Sequence, residues 1–549
     1  MHRDVSGWQT RITDDMIRSY TEAGQWRNVT VWTHACERLA ADADRIVVVD
    51  GDRSFTFAEL VREARRLASA FERIGLQPGE VISFQLPNWY ETMVLNLAAA
   101  RAGLVCNPIV PIYRDAEVRH ILRDARARLF FIPPAFRNFD YAEMALRLRA
   151  QLPDLRDVVV VRGVAQGCST YDQLLGIAAD DGPLASRTDP NAVKLLMYTS
   201  GTTGPAKGVL HTHNTIMAEI NAVIDYWRIR RDDVVLMPSP VTHITGYLYA
   251  LEIAFAAGLQ VVFMERWDTD TAIALINRHG VTFSVGATPF LKELVAAAEA
   301  RRDALPSLRL FMSGGAPVPP EVIHRANQSL GNCSAFRVYG STEAPTVTLG
   351  IRGPEEAELG ATTDGRIVNH DVRLRDPASG RLVSADGEEG EITTRGPEMM
   401  VGYTTPEQTA EAFDADGYFA TGDLGYRVHG EFLTVSGRRK DLIIRGGENI
   451  SPKEIEDVLH RHPAIREVAV VAMPHPRLGE GVCAFVITEP GQTVDVPALA
   501  DYLGVAGLAK QKCPERVVLV DDLPRTASGK VQKNVLRDRI ANTLTQSDR

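Results

Sequence analysis

No stretch of this 549-residue chain approaches the roughly 18 consecutive apolar residues that a membrane-spanning helix needs, so no membrane span is expected. Cysteine is scarce and scattered. Cys36, Cys106, Cys168, Cys333, Cys483 and Cys513 form no CxxC pair and no His/Cys ligand spacing, which argues against a disulfide framework or a structural zinc site. A basic stripe is also missing. The formal charge is −10, so nucleic acid is not an expected partner, and any anionic substrate must be held by local positive groups. Residues Met1 to Trp26 mix Arg, Asp and Glu with few apolar residues, unlike a signal peptide. Reduced thiols, no leader and no span together predict a cytoplasmic chain. Internal repeats and low-complexity tails are absent.

What is present is too long for one core, so two or more domains are expected. In the N-terminal part, Ile46–Val49 and Ser54–Phe57 flank an Asp50-Gly51 hairpin signal. Phe57, Leu60, Val61, Ala64, Leu67, Ala68 and Phe71 then recur at helical spacing. Short apolar runs follow at Val81–Leu86, Leu129–Ile132, Val158–Val161, Val234–Met237, Val261–Met264, Thr282–Val285 and Leu308–Met312, mostly separated by helix-like stretches. That rhythm predicts an α/β fold with helices layered on largely parallel sheets and ligands beyond the carboxyl ends of strands. Gly353–Gly396, rich in Gly, Asp, Glu and Arg, reads as a hairpin-rich β subdomain. Ser451-Pro452-Lys453-Glu454 reads as a capped helix start, opening a small α+β domain. The boundary is placed at Lys440, giving domains 1–439 and 440–549.

The most informative segment is Thr199-Ser200-Gly201-Thr202-Thr203-Gly204-Pro205-Ala206-Lys207-Gly208, after the strand-like run Val193 to Tyr198. Backbone N–H groups in a Gly-rich turn, four hydroxyls and one ammonium suit a polyphosphate. The spacing is not that of a Walker loop, since Gly208 follows Lys207 where Ser or Thr is required. On composition alone, a plain Ser/Thr/Gly surface loop is the alternative.

Three further motifs stand in order behind it: Tyr339-Gly340-Ser341-Thr342-Glu343, Thr421-Gly422-Asp423, and Pro524-Arg525-Thr526-Ala527-Ser528-Gly529-Lys530. Together these four segments resemble the adenylate-forming superfamily of acyl-CoA synthetases, luciferases and peptide-synthetase adenylation domains, over about residues 30 to 540. The resemblance implies a mobile C-terminal lid, with ATP, Mg²⁺ and coenzyme A as cofactors and a small carboxylic acid as substrate. It assigns the β- and γ-phosphates to the 199–208 loop, where Ala206 replaces the usual Pro and bears on rate more than on activity. Gly314, Gly315, Ala316 and Pro317 would line the adenine site with Tyr339, Gly340 and Ser341. Thr342 would offer its hydroxyl to the α-phosphate and Glu343 would bind the metal, as a hard cation prefers carboxylate and phosphate oxygen. Asp423 and Arg438 would hold the ribose. Lys530 would bridge the acid's carboxylate and the α-phosphate. Lys440 would fall at the hinge about which the lid turns, and that turn would present Gly446-Gly447-Glu448-Asn449 to the pantetheine arm.

Pro240-Val241-Thr242-His243-Ile244-Thr245-Gly246 matches the family's segment beside the acyl pocket, with His243 as the gate; a core histidine is the plain alternative. Amino-acid-activating relatives carry an Asp here. Val241 to Leu251 holds no acid and Glu252 is the first, so an ammonium-bearing substrate would lack a partner. The texture looks most like bacterial ligases of medium-chain, alicyclic or aromatic acids. The main alternative is an enzyme that loads a carrier-protein thiol. A luciferase-like oxygenase would need a special pocket. A non-catalytic nucleotide-binding protein would not need Glu343, Asp423, Arg438 and Lys530. A homodimer is left open.

Overall fold

The computed structural model describes residues 2–178, 186, 188–199, 206–446, 448–525 and 530–547. Its helices are built as local chemistry requires. In Phe57–Arg73 the Thr56 hydroxyl accepts from the Glu59 N–H at 3.2 Å. The Glu59 carboxylate in turn accepts from the Thr56 N–H at 2.8 Å. This reciprocal cap satisfies donors that the first turn leaves open. The apolar stripe from Phe57 to Phe71 is fully buried.

Two parallel-rich sheets form the layers. The first runs, edge to edge, Ser169–Thr170, Asp157–Val160, Leu129–Ile132, Val81–Phe84, Val105–Pro108, Val193–Thr199, Lys207–Thr212 and Gly402–Tyr403. The second runs Ser334–Arg337, Leu310–Ser313, Phe283–Gly286, Val234–Met237, Gln260–Phe263, Ile46–Asp50 and Arg53–Thr56. One apolar core, including Leu67, Phe71, Met93, Leu97, Tyr247 and Phe255, fills the space between their helices. The expected hairpin forms with Asp50 paired to Arg53, so Gly51 (φ +61°) and Asp52 make its turn.

A third, antiparallel sheet orders Leu382–Val383, Asp371–Arg375, Gly390–Arg395, Phe419–Val428 and Phe432–Arg438. The β reading of Gly353–Gly396 holds only from Asp371 onward. Pro354–Glu356 and Ala357–Thr362 are helical, with Gly360 packed against Phe336 and Ile351. A short helical turn, Arg439–Asp441, leads from this sheet to a separate C-terminal α+β domain. Its sheet holds Glu448–Ile450, Ile443–Arg445, Gly479–Thr488 and Ile465–His475, with Arg516–Leu519 parallel to Gly479–Thr488. The helix Pro452–Leu459 starts where expected, but Ser451 does not cap it. Its hydroxyl donates instead to the Ser436 carbonyl at 2.7 Å, a tertiary bond that outcompetes the local one. Glu454, free of a capping box, pairs with Lys512 at 2.7 Å.

Among the described residues no helix is long and apolar enough to cross a membrane. All six cysteines are free thiols.

Candidate active site

Leu310–Ser313 and Ser334–Arg337 are adjacent parallel strands in which Ser313 pairs with Arg337. The segments Gly314-Gly315-Ala316-Pro317 and Tyr339–Glu343 therefore leave the sheet side by side, at carboxyl strand ends where ligands bind in such folds. The two glycines differ in origin. A Cβ on Gly314 would stand 2.5 Å from the Val338 carbonyl, so close strand packing alone demands glycine there. Gly315 takes φ +78°, and among the described residues nothing beyond its chain neighbours lies within 4 Å of where its Cβ would be. Only Gly315 faces open space of the kind a flat base requires.

The Tyr339–Thr348 loop is closed by its own backbone. Tyr339 N–H donates to Thr348 Oγ1 at 2.9 Å and Thr348 N–H to the Tyr339 carbonyl at 3.1 Å. Within it, Ser341 N–H reaches the Ala344 carbonyl at 2.9 Å, and Ala344 N–H reaches Ser341 Oγ at 3.1 Å. Gly340 has no alternative, because a Cβ would collide with the Thr346 backbone. This loop carries Thr342 and Glu343. His211, on Lys207–Thr212, donates from Nε2 to the Thr342 carbonyl at 2.7 Å. Burial holds His211 down at about 4, so it serves as a neutral donor.

Thr199 and Lys207 face one another across antiparallel strands, and the Gly-rich segment expected to hold phosphates joins them in sequence. Ser200, Gly201, Thr202, Thr203, Gly204 and Pro205 lie outside the described residues. Lys207 Nζ lies 5.1 Å from the centroid of the Tyr403 ring, a cation–π contact. The Tyr403 hydroxyl donates to Glu343 Oε1 at 3.1 Å, so one buried tyrosine spans the Lys207 ammonium and the Glu343 carboxylate. The Ala206 carbonyl accepts from His120 Nε2 at 3.0 Å, which anchors the backbone at the position where the motif departs from the family pattern.

Asp423 and Arg438 are cross-strand partners, and Arg438 Nε lies 3.0 Å from Asp423 Oδ1. The Tyr339 hydroxyl donates to Asp423 Oδ2 at 2.8 Å. The ammonium of Lys530, from the C-terminal domain, comes within electrostatic reach of this group. Burial pushes it down to about 8, the charges of Arg438 and Lys440 act in the same sense, and Asp423 and Glu343 oppose them. Lys530 also acts on His243, which burial first and that positive charge second lower to about 4. Glu343, Asp423, Arg438, His243 and Lys530, spread over almost 290 residues of sequence, thus share one field. Thr526, Ala527, Ser528 and Gly529 lie outside the described residues.

His243 sits in a tight turn. Its N–H donates to the Pro240 carbonyl at 2.9 Å, and a Cβ on Gly246 would strike that carbonyl. The segment then continues as π-helix over Tyr247–Glu252 and Ala254–Gly258, a geometry that recurs at functional sites. Sequence reading missed what holds this turn: Asn88. Its Nδ2 faces the carbonyls of Met237, Ser239 and Met264 at 3.2, 3.0 and 3.1 Å, and its Oδ1 accepts from Val241 N–H at 2.8 Å. Glu252 is buried against the Lys194 ammonium and accepts from Asn96 at 2.8 Å.

Lys440 lies on the Arg439–Asp441 turn, and Arg537 donates to its carbonyl at 3.2 Å and to Asp441 at 3.1 Å. Gly446 is left-handed (φ +62°) and exposed, with its N–H on the Leu478 carbonyl at 2.8 Å; Gly447 lies outside the described residues. Among the described residues no three His, Cys, Asp or Glu side chains form a metal cluster. A lone carboxylate at Glu343 fits Mg²⁺, which takes one or two carboxylates and completes its shell with phosphate and water oxygens; that ion would supply charge neutralisation to the phosphates.

The protein-family model for AMP-binding enzymes matches residues 36–404, and that for the AMP-binding enzyme C-terminal domain matches 454–530. A medium-chain fatty-acid–CoA ligase of Escherichia coli (strain K12) is 35% identical over 535 residues, covering 96% of this chain and 93% of the relative. A 2,3-dihydroxybenzoate-AMP ligase of Bacillus subtilis (strain 168) is 30% identical and covers 97% of both chains. Among solved structures, ATP-bound MatB from Rhodopseudomonas palustris superposes with a TM-score of 0.83 at 30% identity, covering 93% of this chain and 99% of that one.

Proposed function

Because the chain belongs to the AMP-binding enzyme family, in its acyl-CoA synthetase branch, we propose that it activates a carboxylic acid with ATP and passes the acyl group to coenzyme A. The acid is medium-chain fatty, alicyclic or aromatic. The observation that carries this reading is the Lys530 ammonium, brought from the C-terminal domain into the field of Glu343, Asp423, Arg438 and His243.

In the first half-reaction a carboxylate oxygen attacks the α-phosphorus of ATP. A carboxylate–phosphorus bond forms as the bond to the β-phosphate bridge breaks, and pyrophosphate leaves. The carboxylate is a poor nucleophile, so the barrier falls by positioning and by stabilising charge. Lys530 steadies both the attacking carboxylate and the α-phosphate oxygens. With its pKa near 8 it stays about ten-to-one protonated at pH 7. Thr342 faces the same phosphate, Asp423 and Arg438 hold the ribose, and the Thr199–Lys207 connection with the Lys207 ammonium holds the phosphates that depart. Gly315 and Tyr339 border the base.

In the second half-reaction the thiol of coenzyme A attacks the acyl carbonyl, the thioester forms and AMP leaves. Lys530 must withdraw for that approach. We place the hinge at Lys440, between domains 1–439 and 440–549, and the pantetheine contact at Gly446-Gly447. His243, held neutral, gates the passage without adding charge.

An amino acid is disfavoured as substrate. Glu252, the first acid after His243, is already neutralised by Lys194 and hydrogen-bonded by Asn96, so a substrate ammonium would be buried unpaired. The test is pyrophosphate release with ATP, Mg²⁺ and coenzyme A across fatty, alicyclic, benzoic, phenylpropenoic and amino acids. Silence across the panel overturns the acid assignment. Acyl-AMP formation without coenzyme A-dependent AMP release instead favours a carrier-protein acceptor.

A further inference from the structure

The loop that carries Thr342 and Glu343 contains one residue in a conformation its side chain disfavours. Thr346 takes φ +39°, and a β-branched residue with positive φ is an outlier that persists only where its surroundings impose it. It does not sit in open space. The backbone of Thr346 lies where a Cβ on Gly340 would stand, so the two ends of the loop are pressed together at this point. The Thr346 hydroxyl meets the Tyr249 hydroxyl at 2.6 Å, and the Tyr249 hydroxyl meets Glu219 Oε1 at 2.7 Å. Glu219 is a buried acceptor on the helix His213–Tyr226. A phenol has one proton. With that proton directed to Glu219, Thr346 is the donor and Tyr249 the acceptor; the Glu219 carboxyl, which burial pushes up to about 7, also lies within reach of the Thr346 hydroxyl.

Tyr249 lies on the π-helical segment that begins four residues after His243, whereas Thr346 follows Glu343 by three. We propose that Tyr249, anchored on Glu219, is a positioning residue that clamps Thr346 in its strained conformation and thereby sets the placement of Thr342 and Glu343 for Mg·ATP. It touches no reacting atom and acts through the loop. This rests on the reading of Glu343 as the metal carboxylate.

The clamp is needed because Thr346 is not glycine, and that supplies the test. Tyr249→Phe keeps the ring and removes the handle. Loss of a group that orients a metal ligand typically costs about 10–100-fold in affinity or activity. Tyr249→Phe is therefore expected to weaken Mg·ATP binding by about tenfold or more in calorimetry, with the KM of the acid unchanged. Glycine adopts positive φ without strain, so Tyr249→Phe combined with Thr346→Gly is expected to recover most of that affinity. Thr346→Gly alone is expected to stay within about threefold of the parent, for the same reason. Glu219→Gln, which preserves an acceptor, is expected to behave like the parent.

Three outcomes would overturn the clamp: unchanged Mg·ATP binding in Tyr249→Phe, no recovery in the double variant, or a loss confined to the KM of the acid. Should Tyr249→Phe fail to fold, Thr346→Gly alone decides, since a large loss there contradicts strain as the reason for the clamp. If the parent binds Mg·ATP but turns over no acid, the acid assignment fails while the calorimetric comparison still judges Tyr249.

Discussion

The Tyr339 hydroxyl donates to Asp423 at 2.8 Å, on the side of the carboxylate away from Arg438. The ring proposed to border adenine and the acid proposed to hold ribose are therefore one hydrogen-bonded unit. Tyr339→Phe keeps the ring and removes a bond to a charged acceptor worth about 1.5 kcal/mol or more. The KM for ATP in pyrophosphate exchange should rise about tenfold. Asp423→Ala should cost more, because it strips Arg438 of its partner as well.

Lys530→Ala removes the donor proposed to face the developing charge. Adenylate formation should fall by about 10²–10³-fold, whereas thioester formation from supplied acyl-AMP should change little. Rapid-quench measurement of the two half-reactions decides; equal losses contradict the role.

The same residue sets an alkaline limb. In the proposed role the ammonium is the working form, and burial lowers it to about 8, so kcat/KM for ATP should fall as pH rises through 8. Bound phosphates favour the ammonium, which moves the corresponding fall in kcat to higher pH. Lys530→Arg carries a charge that is not lost in this range, so whatever activity it retains should show no such limb.

Lys440→Pro restricts φ at the proposed pivot. Acyl-AMP formation should survive and thioester formation should drop, read as accumulation of enzyme-bound acyl-AMP in the presence of coenzyme A. Parallel losses would remove Lys440 from that role.

Lys194 and Glu252 form a buried pair between the strand Val193–Thr199 and the π-helical turn Tyr247–Glu252. Lys194→Met strands the carboxylate and should cost about 3–5 kcal/mol, seen as a lower unfolding midpoint. Lys194→Met with Glu252→Gln should recover part of it, because no uncompensated charge remains.

The layered sheets were legible because each strand is a short apolar run closed by small or turn-forming residues; boundaries moved by one or two positions, as from Val261–Met264 to Gln260–Phe263. The motif residues were legible because their order is distinctive. The supporting residues were not. Asn88 meets partners some 150 to 176 residues away and His211 meets Thr342 at a separation of 131, so no local pattern marks either. Nothing local marks Tyr403 either, whose hydroxyl meets Glu343 at a separation of 60. Ser451 shows the reverse failure, a correct local rule displaced by a distant carbonyl.

The first sheet closes late. Lys207–Thr212 has as its outer neighbour Gly402–Tyr403, with Val209 against Tyr403 and Leu210 against Gly402. On the ribosome that outer strand emerges roughly 190 residues later, about 10–40 s at usual elongation rates. Through that interval a buried-type strand beside the phosphate loop presents an open edge, the kind of surface that invites wrong pairing. Nascent chains stalled short of residue 402 should accordingly depend on chaperones far more than chains released just past it.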